Sequence, residues 1–563
     1  MRARAVGDAY VLLDAFSEDA QGEISEEVSR RIHALARHLK SLALPGILDM
    51  VPGYESLLLI VDPSRAGREE VIRTVFSAAK KISEAEEGSK RQSNGRELSA
   101  ERVIEIPVCY GGAYGPDLAE VASLHGLREE EVVSLHAGRT YPVYMLGFLP
   151  GFPYLGGLDP RLHTPRLSQP RTRIPEGSVG IGGSQTGIYP LPSPGGWRII
   201  GRTPMRLLGP EGDIPYRAGD RIRFVPISQD TMEEMLRAQG KEPEAAEPER
   251  DETQVCLRVL QGGFLTTVQD GGRYGHAGEG YTECGACDGE LAAYCNMLCG
   301  NSPDMHAAVL EMTLTGPDLL FEEDALIAIC GFGLTPFLHD LPVPLFQAVR
   351  AKKGDVLHVG SIREGNRAYL GIRGGIRTRP MLGSRATDLK CGIGGWKGRG
   401  LLAGDRVPVA GRGKMDAEIP MAQPWPVPCL EHHPRVRCTV GPQAEKFTPE
   451  SVELFVSESF TVTRETGRMG IRLEGKELIA EGGYDILSDA VVAGSVQVSD
   501  RGKMIVMLCD HQTVGGYAKI ATVISADLPL LSRLSPGDTV HFVPVTPGEA
   551  EEIRERTPWL SWR

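Results

Sequence analysis

Residues 219–228 read GDRIRFVPIS and residues 537–546 read GDTVHFVPVT, two stretches sharing Gly, Asp, Phe, Val and Pro at the same places. Each opens on a Gly-Asp turn signal and runs into a short apolar stretch, the pattern of a strand entered from a tight turn. Upstream of the first lie GSV at Gly177 and GGW at Gly195; upstream of the second lie GSV at Gly494 and GGY at Gly515. Three markers keep their order and nearly their spacing, so two separate units share one β-rich fold. A shorter echo, GGW at Gly394 and then GD at Gly404, marks the unit between them as a more distant relative.

Outward from this repeat the chain divides into four units. Residues 238–254, AQGKEPEAAEPERDETQ, carry six acids, two bases and two prolines with almost nothing to bury, the composition of a linker. A polar stretch at 84–94 and a Pro-rich one at 421–434 give the other boundaries. The expected division is 1–92, a small α+β unit; 93–237, a barrel; 255–420, a β-rich unit; and 421–563, a second barrel. In the first unit Tyr10–Phe16, Ile47–Val51 and Ser56–Val61 read as strands. Val28, Ile32, Leu35, Leu39 and Leu42 follow Ser25 at helical spacing, and a second helix carries Val71, Val75 and Ile82. The order βαββα is that of a small α+β sandwich.

Length and composition agree with this division. The 563 residues, 41% of them hydrophobic, allow several cores, and 68 Gly favour tightly turned sheets and barrels over long helices. A net charge of -13 without a basic stretch argues against nucleic acid as a partner. No apolar run approaches a membrane span, and 11 cysteines without an export signal point to a reduced, cytoplasmic protein.

The familiar short motifs are missing: GxxxxGK[ST], GxSxG, HExxH and the Ala-Met-Lys-Met of a biotin attachment site do not occur. Cys284, Cys287, Cys295 and Cys299 have a spacing that thiolate metal sites use, but read better as small residues of a Gly/Ala-rich loop and helix; no metal is assigned. The stretch 147–203 is stiffened by Pro and Gly, and long irregular stretches within compact proteins tend to be functional. Arg166, Arg171 and Arg173 project from it with the planar fork that suits carboxylate or phosphate. His136, ending a helix that feeds this stretch, is a candidate for proton transfer.

Longer motifs carry a family resemblance. IPVCYGG (106–112), GPDLAEVA (115–122), YPVYMLGFLPGFPYLGGL (141–158), PEGSVGIGGSQTGIYP (175–190) and PGGWRIIGRTP (194–204) resemble allophanate hydrolase subunit 1, also called carboxyltransferase subdomains C and D or the B subunit of 5-oxoprolinase. TTVQDGGRYG (266–275), GACDGELAAYCNMLCGN (285–301), LGSRATDLKCGIGG (382–395), GRMGIRLEG (467–475) and DHQTVGGYAKIATVISADL (510–528) resemble allophanate hydrolase subunit 2, that is, subdomains A and B or the C subunit of 5-oxoprolinase. The chain departs from the family at Cys284 and Cys287, where Ser and Met are usual, at His511 in place of Arg, at Ser499 in place of Pro and at Ala137 in place of Thr.

The resemblance implies a small α+β unit followed by cyclophilin-like β-barrel units. It implies fused B and C subunits of ATP-dependent 5-oxoprolinase, with ATP and Mg2+ as co-substrate, a separate A-type subunit as partner and a homo-oligomeric assembly. The same folds also serve the carboxyltransferase of biotin-dependent urea carboxylases, and a histidine kinase inhibitor with its antagonist; these are the alternatives. The expected site lies where the first barrel meets the C-terminal half. His136, Arg166, Arg171, Asp288 and Asp388 are its catalytic candidates. Phe148, Gly151, Phe152, Tyr154, Ser178, Asp270, Arg273, Arg385, Arg468, Gln512 and Thr513 are its candidates for binding substrate or nucleotide.

Overall fold

In the computed structural model, residues 2–14, 25–92, 102–239, 256–410 and 425–562 are described. Most of the acidic linker, from 240 onward, lies outside them, as do 421–424 of the Pro-rich boundary.

The Gly-Asp repeat is a repeat of structure. Gly219 and Gly537 both hold positive φ, +91° and +99°, a backbone that side chains other than Gly rarely adopt. In the first copy Gly219 N–H donates to Val143 O and Val143 N–H to Asp220 O; in the second, Gly537 donates to Val462 O and Val462 to Asp538 O. Each Asp carboxylate accepts the N–H three residues before it, Arg217 in one copy and Ser535 in the other. The strand that follows, Arg221–Pro226 or Thr539–Pro544, pairs parallel with the first strand of its unit, Val103–Tyr110 or Arg435–Val440. It also pairs antiparallel with the strand leaving the preceding helix, Thr140–Leu146 or Ser459–Thr466. Each unit closes into a seven-stranded barrel, which removes the free edges of its sheet.

The third unit keeps the turn and not the barrel. Gly404 has φ +92° and exchanges the same hydrogen bonds with Val259, while Leu402 N–H donates to Asp405 Oδ2. Its strands form two open sheets, of six and five strands, around one core that includes Val268, Leu310, Ile327 and Leu370. Helix Gly289–Leu298 packs on the five-stranded sheet, against Ala325–Phe332 and Glu364–Ile372.

The N-terminal unit is a four-stranded antiparallel sheet in the order Arg2–Val6, Tyr10–Asp14, Ser56–Val61, Ile47–Pro52. The first of these strands is absent from the sequence-based reading, because RARAV offers no apolar run. The second helix, Arg68–Gln92, also runs through most of the polar stretch read as a boundary. Ser25 caps helix Glu26–Leu42, its Oγ accepting the Val28 N–H at 3.3 Å.

Side chains alternate across a strand, so one face of this sheet, with Val11, Leu57 and Leu59, packs under the two helices. The other face, with Tyr10, Leu12, Leu58 and Ile60, enters a composite core containing Tyr144, Phe152 and Trp197 of the first barrel and Val492 and Val514 of the second. That shared core fixes the N-terminal unit, the first barrel and the C-terminal half against one another. Among the described residues no helix is long and apolar enough to cross a membrane.

Candidate functional site

The loop after strand Thr140–Leu146 brings the two halves together. Phe148 holds φ +66° and Gly151 φ +74°, which throws the chain outward. A Cβ on Gly147 would lie 2.4 Å from Val514 Cγ2 and 3.2 Å from Thr513 Oγ1, so only glycine permits this approach. Gly151 N–H donates to Glu279 O, Tyr216 OH donates to Gly151 O, and Lys390 Nζ donates to Phe148 O at 2.6 Å. The Lys390 ammonium also lies 5.8 Å from the Phe148 ring centre, in cation–π range.

On the C-terminal side Lys390 is the hub of a cluster of ionisable groups. Asp388 Oδ1 accepts the backbone N–H of Lys390 and Cys391, while its buried Oδ2 has no well-formed hydrogen bond and the Cys391 thiol as its nearest polar neighbour. Burial, with the Asp388 charge beside it, pushes the Cys391 thiol well up. Burial also raises the Cys284 thiol, reinforced by Asp510 and Asp388. Burial alone would raise the Asp510 carboxyl as well, but Arg468, Cys284 and Lys390 outweigh it and hold it below the usual range. Burial lowers His511 to about 4. Its Nδ1–H donates to Gln512 O at 2.9 Å, since a carbonyl only accepts, which leaves Nε2 a bare, buried acceptor without a partner. Thr513 Oγ1 is likewise buried and unpartnered. Buried polar atoms are nearly always paired, so this concentration of unpaired ones makes the cluster a candidate place for a ligand.

On the barrel side the loop continues into an aromatic wall. Phe152 stacks edge-on with Phe148, Tyr154, Tyr189 and Trp197 at 5.1–5.6 Å between ring centres. Tyr54, from the turn between two strands of the N-terminal unit, meets Tyr154 at 6.4 Å. Arg166 stands exposed beside this wall, and its charge acts on the hydroxyls of Tyr54, Tyr154 and Tyr189.

Phe148, Gly151, Phe152, Tyr154, Arg166, Asp388 and Thr513 thus gather at one seam, with Gln512 half-buried beside it. Of the other candidates, Arg273 and Arg468 adjoin the ionisable cluster through Cys284 and Asp510, and the rest lie apart from it. His136 lies inside the first barrel, fully buried and stacked on Phe224 at 4.6 Å. Thr186 spends its hydroxyl proton on Gly180 O, so His136 Nε2–H donates to Thr186 and Nδ1 accepts from Tyr110 OH, both at 2.8 Å. Burial lowers it to about 3. In the second barrel the same stacking is made by Phe455 on Phe542 at 4.5 Å, so His136 occupies a core aromatic position.

Arg171 is held by a two-pronged pair with Asp117, at 2.9 and 2.6 Å, and Asp117 also takes the Ile199 N–H; this arginine braces the barrel. Ser178 Oγ donates to Pro175 O in a turn. Asp288 caps helix Gly289–Leu298 and is clamped by Arg533 at 2.7 and 3.1 Å. Asp270 is filled by Gly272 N–H, Ser384 Oγ and Arg385 N–H. Arg273 and Arg385 donate to carbonyls, and Arg385 does not pair with Asp388. Arg468 ties Asp510 to Glu311 across the two C-terminal units.

The cysteines separate. Cys287 lies in the core of the second barrel, and Cys295 and Cys299 in the helix core with Cys330. Among the described residues no group of three or more His, Cys, Asp or Glu is placed to hold a metal ion. Tyr54, Lys390 and His511 are the residues that the site candidates lacked. His511 is marked in the sequence by its departure from the resembled motif, whereas nothing in the spacing of Tyr54 or Lys390 signals a role.

Replacing His136 with Ala is expected to cost about 3 kcal/mol of stability through the cavity and two lost hydrogen bonds. The thermal midpoint should fall while the pH dependence of turnover stays where it was. A shifted pH–rate profile with an unchanged midpoint would restore His136 to the chemistry.

Two barrel-bearing halves closed on a polar and aromatic seam define a protein of the carboxyltransferase type. The carboxyltransferase domain, subdomain C and D, matches residues 1–216, and subdomain A and B matches residues 279–544. The chain is 44% identical over 228 residues to the B subunit of 5-oxoprolinase from Bacillus subtilis (strain 168), 40% of this chain and 92% of that protein. It is 37% identical over 311 residues to the C subunit of 5-oxoprolinase from Escherichia coli (strain K12), 54% of this chain and 98% of that protein. The solved structure of TTHA0988 superposes with a TM-score of 0.79 at 35% identity, covering 95% of this chain and 100% of that one. The chain belongs to the carboxyltransferase-domain family, with the C–D and A–B subdomain pairs in that order.

Proposed function

We propose that this chain is a fusion of the B and C subunits of ATP-dependent 5-oxoprolinase and that, with a separate A-type subunit, it converts 5-oxo-L-proline to L-glutamate. The observation that carries the reading is that one chain matches nearly the full length of a 5-oxoprolinase B subunit and then of a C subunit. The five-membered lactam is an unactivated amide. Transfer of the ATP γ-phosphoryl group to its oxygen activates the carbonyl carbon; water adds there, the C–N bond breaks as the nitrogen takes a proton, and the γ-glutamyl phosphate so formed is hydrolysed by a second water to glutamate and phosphate.

The seam offers groups suited to this work. Lys390, held on Phe148 O, supplies positive charge for a phosphoryl oxygen. His511, neutral at pH 7 with Nε2 bare, accepts a hydrogen bond from water or from the lactam N–H. Mg2+ typically binds through one or two carboxylates and the substrate's phosphates, and the unpaired Oδ2 of Asp388 fits that limited role. ATP, when bound, supplies the phosphoryl group.

ATP consumption by the chain mixed with an A-type subunit, with 5-oxoproline or urea as the added amide, tests this reading. Stimulation by 5-oxoproline supports it; stimulation by urea with bicarbonate, and none by 5-oxoproline, would favour the urea carboxylase alternative.

A further inference from the structure

Arg166 has no ion pair among the described residues, although acids partner most arginines around it: Arg139 and Arg161 with Asp159, and Arg171 with Asp117. Beside it the chain turns through Gly195 and Gly196. Leu167 N–H donates to Gly196 O, a Cβ on Gly196 would lie 3.9 Å from Arg166 Cβ, and one on Gly195 would lie 2.5 Å from Tyr189 OH. The two glycines therefore seat Arg166 and the Tyr189 hydroxyl side by side. Tyr54 closes the group from the N-terminal unit. It is 1% exposed, and its hydroxyl has no hydrogen-bond partner, a position that costs stability unless a ligand completes it. Burial pushes Tyr54 well up and Tyr189 up to about 12, so both hydroxyls stay protonated and available to donate.

We propose that Arg166, with the hydroxyls of Tyr54 and Tyr189, forms the pocket that binds the carboxylate of a small cyclic substrate, and that the wall of Phe152, Tyr154 and Trp197 takes its ring. One guanidinium flanked by neutral donors matches a monoanion; a triphosphate carries more negative charge than this single cation balances. The edge-on aromatic wall suits an uncharged ring and offers a nucleotide phosphate nothing. The pocket and Lys390 are joined through the aromatic contacts of the same loop, Phe148 on Phe152 and Phe152 on Tyr154 and Tyr189. The inference rests on the 5-oxoprolinase reading for the identity of the ring, and on the geometry alone for the carboxylate.

The test uses the full chain. Calorimetric binding of 5-oxoproline is compared with that of 2-pyrrolidinone, the same lactam without the carboxylate, for wild type, Arg166→Ala, Arg166→Lys and Tyr54→Phe. Expected are binding of 5-oxoproline well above that of 2-pyrrolidinone, a loss of about tenfold or more in Arg166→Ala, partial recovery in Arg166→Lys and a smaller loss in Tyr54→Phe. In the complex with an A-type subunit, Arg166→Ala should raise KM for 5-oxoproline and leave kcat within about twofold. Thermal midpoints of the variants confirm that they fold. Equal binding of the two lactams, or full 5-oxoproline affinity in a folded Arg166→Ala, overturns the pocket even if wild type makes glutamate. Carboxylate-dependent binding lost in Arg166→Ala sustains the pocket even if the complex makes no glutamate, in which case only the function assignment falls.

Discussion

Replacing Arg468 with Met is expected to destabilise the protein by about 3–5 kcal/mol, because it leaves the buried Asp510 without its paired cation and Glu311 with Arg367 alone, at 3.7 Å. Arg468 lies between strands Ser459–Thr466 and Gly470–Glu474 of the second barrel, with its guanidinium buried. Nε and Nη2 grip Asp510 at 2.8 Å each, Nη1 reaches Glu311 of the neighbouring unit at 2.6 Å, and Nη2 also donates to Gly285 O. Glu311 is anchored further by Cys287 N–H and Tyr369 OH. Burial works against the charged form of Arg468, yet Asp510, Cys509 and Glu311 prevail and raise it well above its ordinary value.

Without the arginine, Asp510 and Glu311 confront each other across the boundary between the two C-terminal units, at the edge of the ionisable cluster. Arg468→Lys keeps the charge and loses the fork, so an intermediate loss is expected. The exposed pair Arg379–Glu211 gives the comparison: Arg379→Ala should change stability by less than about 1 kcal/mol. Thermal or denaturant unfolding of the three variants decides it, and an Arg468→Met midpoint equal to that of Arg379→Ala would show that the bridge does not hold the units together.

Acid is expected to weaken the fold well before most carboxylates titrate. His33 and His511 are lowered to about 4 and His136 to about 3, in each case chiefly by burial. A histidine in the unfolded chain titrates near 6.5. Between pH 6.5 and 4 the unfolded state therefore binds protons that the folded state refuses, and stability falls as pH falls through that window. Each such histidine contributes a slope of about 1.4 kcal/mol per pH unit at most, and three give about 4 kcal/mol per unit.

Burial raises the Asp49 and Glu290 carboxyls, which take up protons in the folded state and offset part of this loss at the lower end. The Asp489 and Asp510 carboxyls, held low despite burial by Lys519 and Arg468 among others, add to the loss below pH 4. Thermal midpoints measured from pH 7.5 to 4.5 should drop steeply below pH 6.5, and His136→Phe, which keeps a ring on Phe224, should flatten the slope. A midpoint constant from pH 7 to 5 would contradict the neutral, buried state of these three rings.

The fold was largely legible because its decisive element is local. A Gly that must hold positive φ, an Asp that fills the turn's N–H groups and an alternating strand leave a mark within ten residues, and that mark recurs three times. Whether the sheet behind the turn closes is set by pairings across the whole unit. The third unit accordingly shares the turn of Gly404 and departs in architecture.

The site was legible in part for the same reason. The Pro/Gly-stiffened loop at Phe148–Tyr154 announces itself, whereas the partner of a charged side chain does not. Arg171 finds Asp117 54 positions away and Asp288 finds Arg533 245 positions away, ion pairs that the sequence around each residue does not announce. Tyr54 and Lys390 reach the seam from separate units, which no spacing within the sequence encodes.

The central claim, that this one chain supplies both the B and C functions of a 5-oxoprolinase, meets its most direct test in release of glutamate from 5-oxo-L-proline. The purified chain is assayed alone and then with an A-type subunit, in each case with ATP and Mg2+. Expected are little or no glutamate from the chain alone, and release matched by ADP formation once the A-type subunit is added. Rapid opening of the lactam by the chain alone without ATP, or no glutamate from the complete mixture while the same A-type subunit is active with separate B and C subunits, would contradict it.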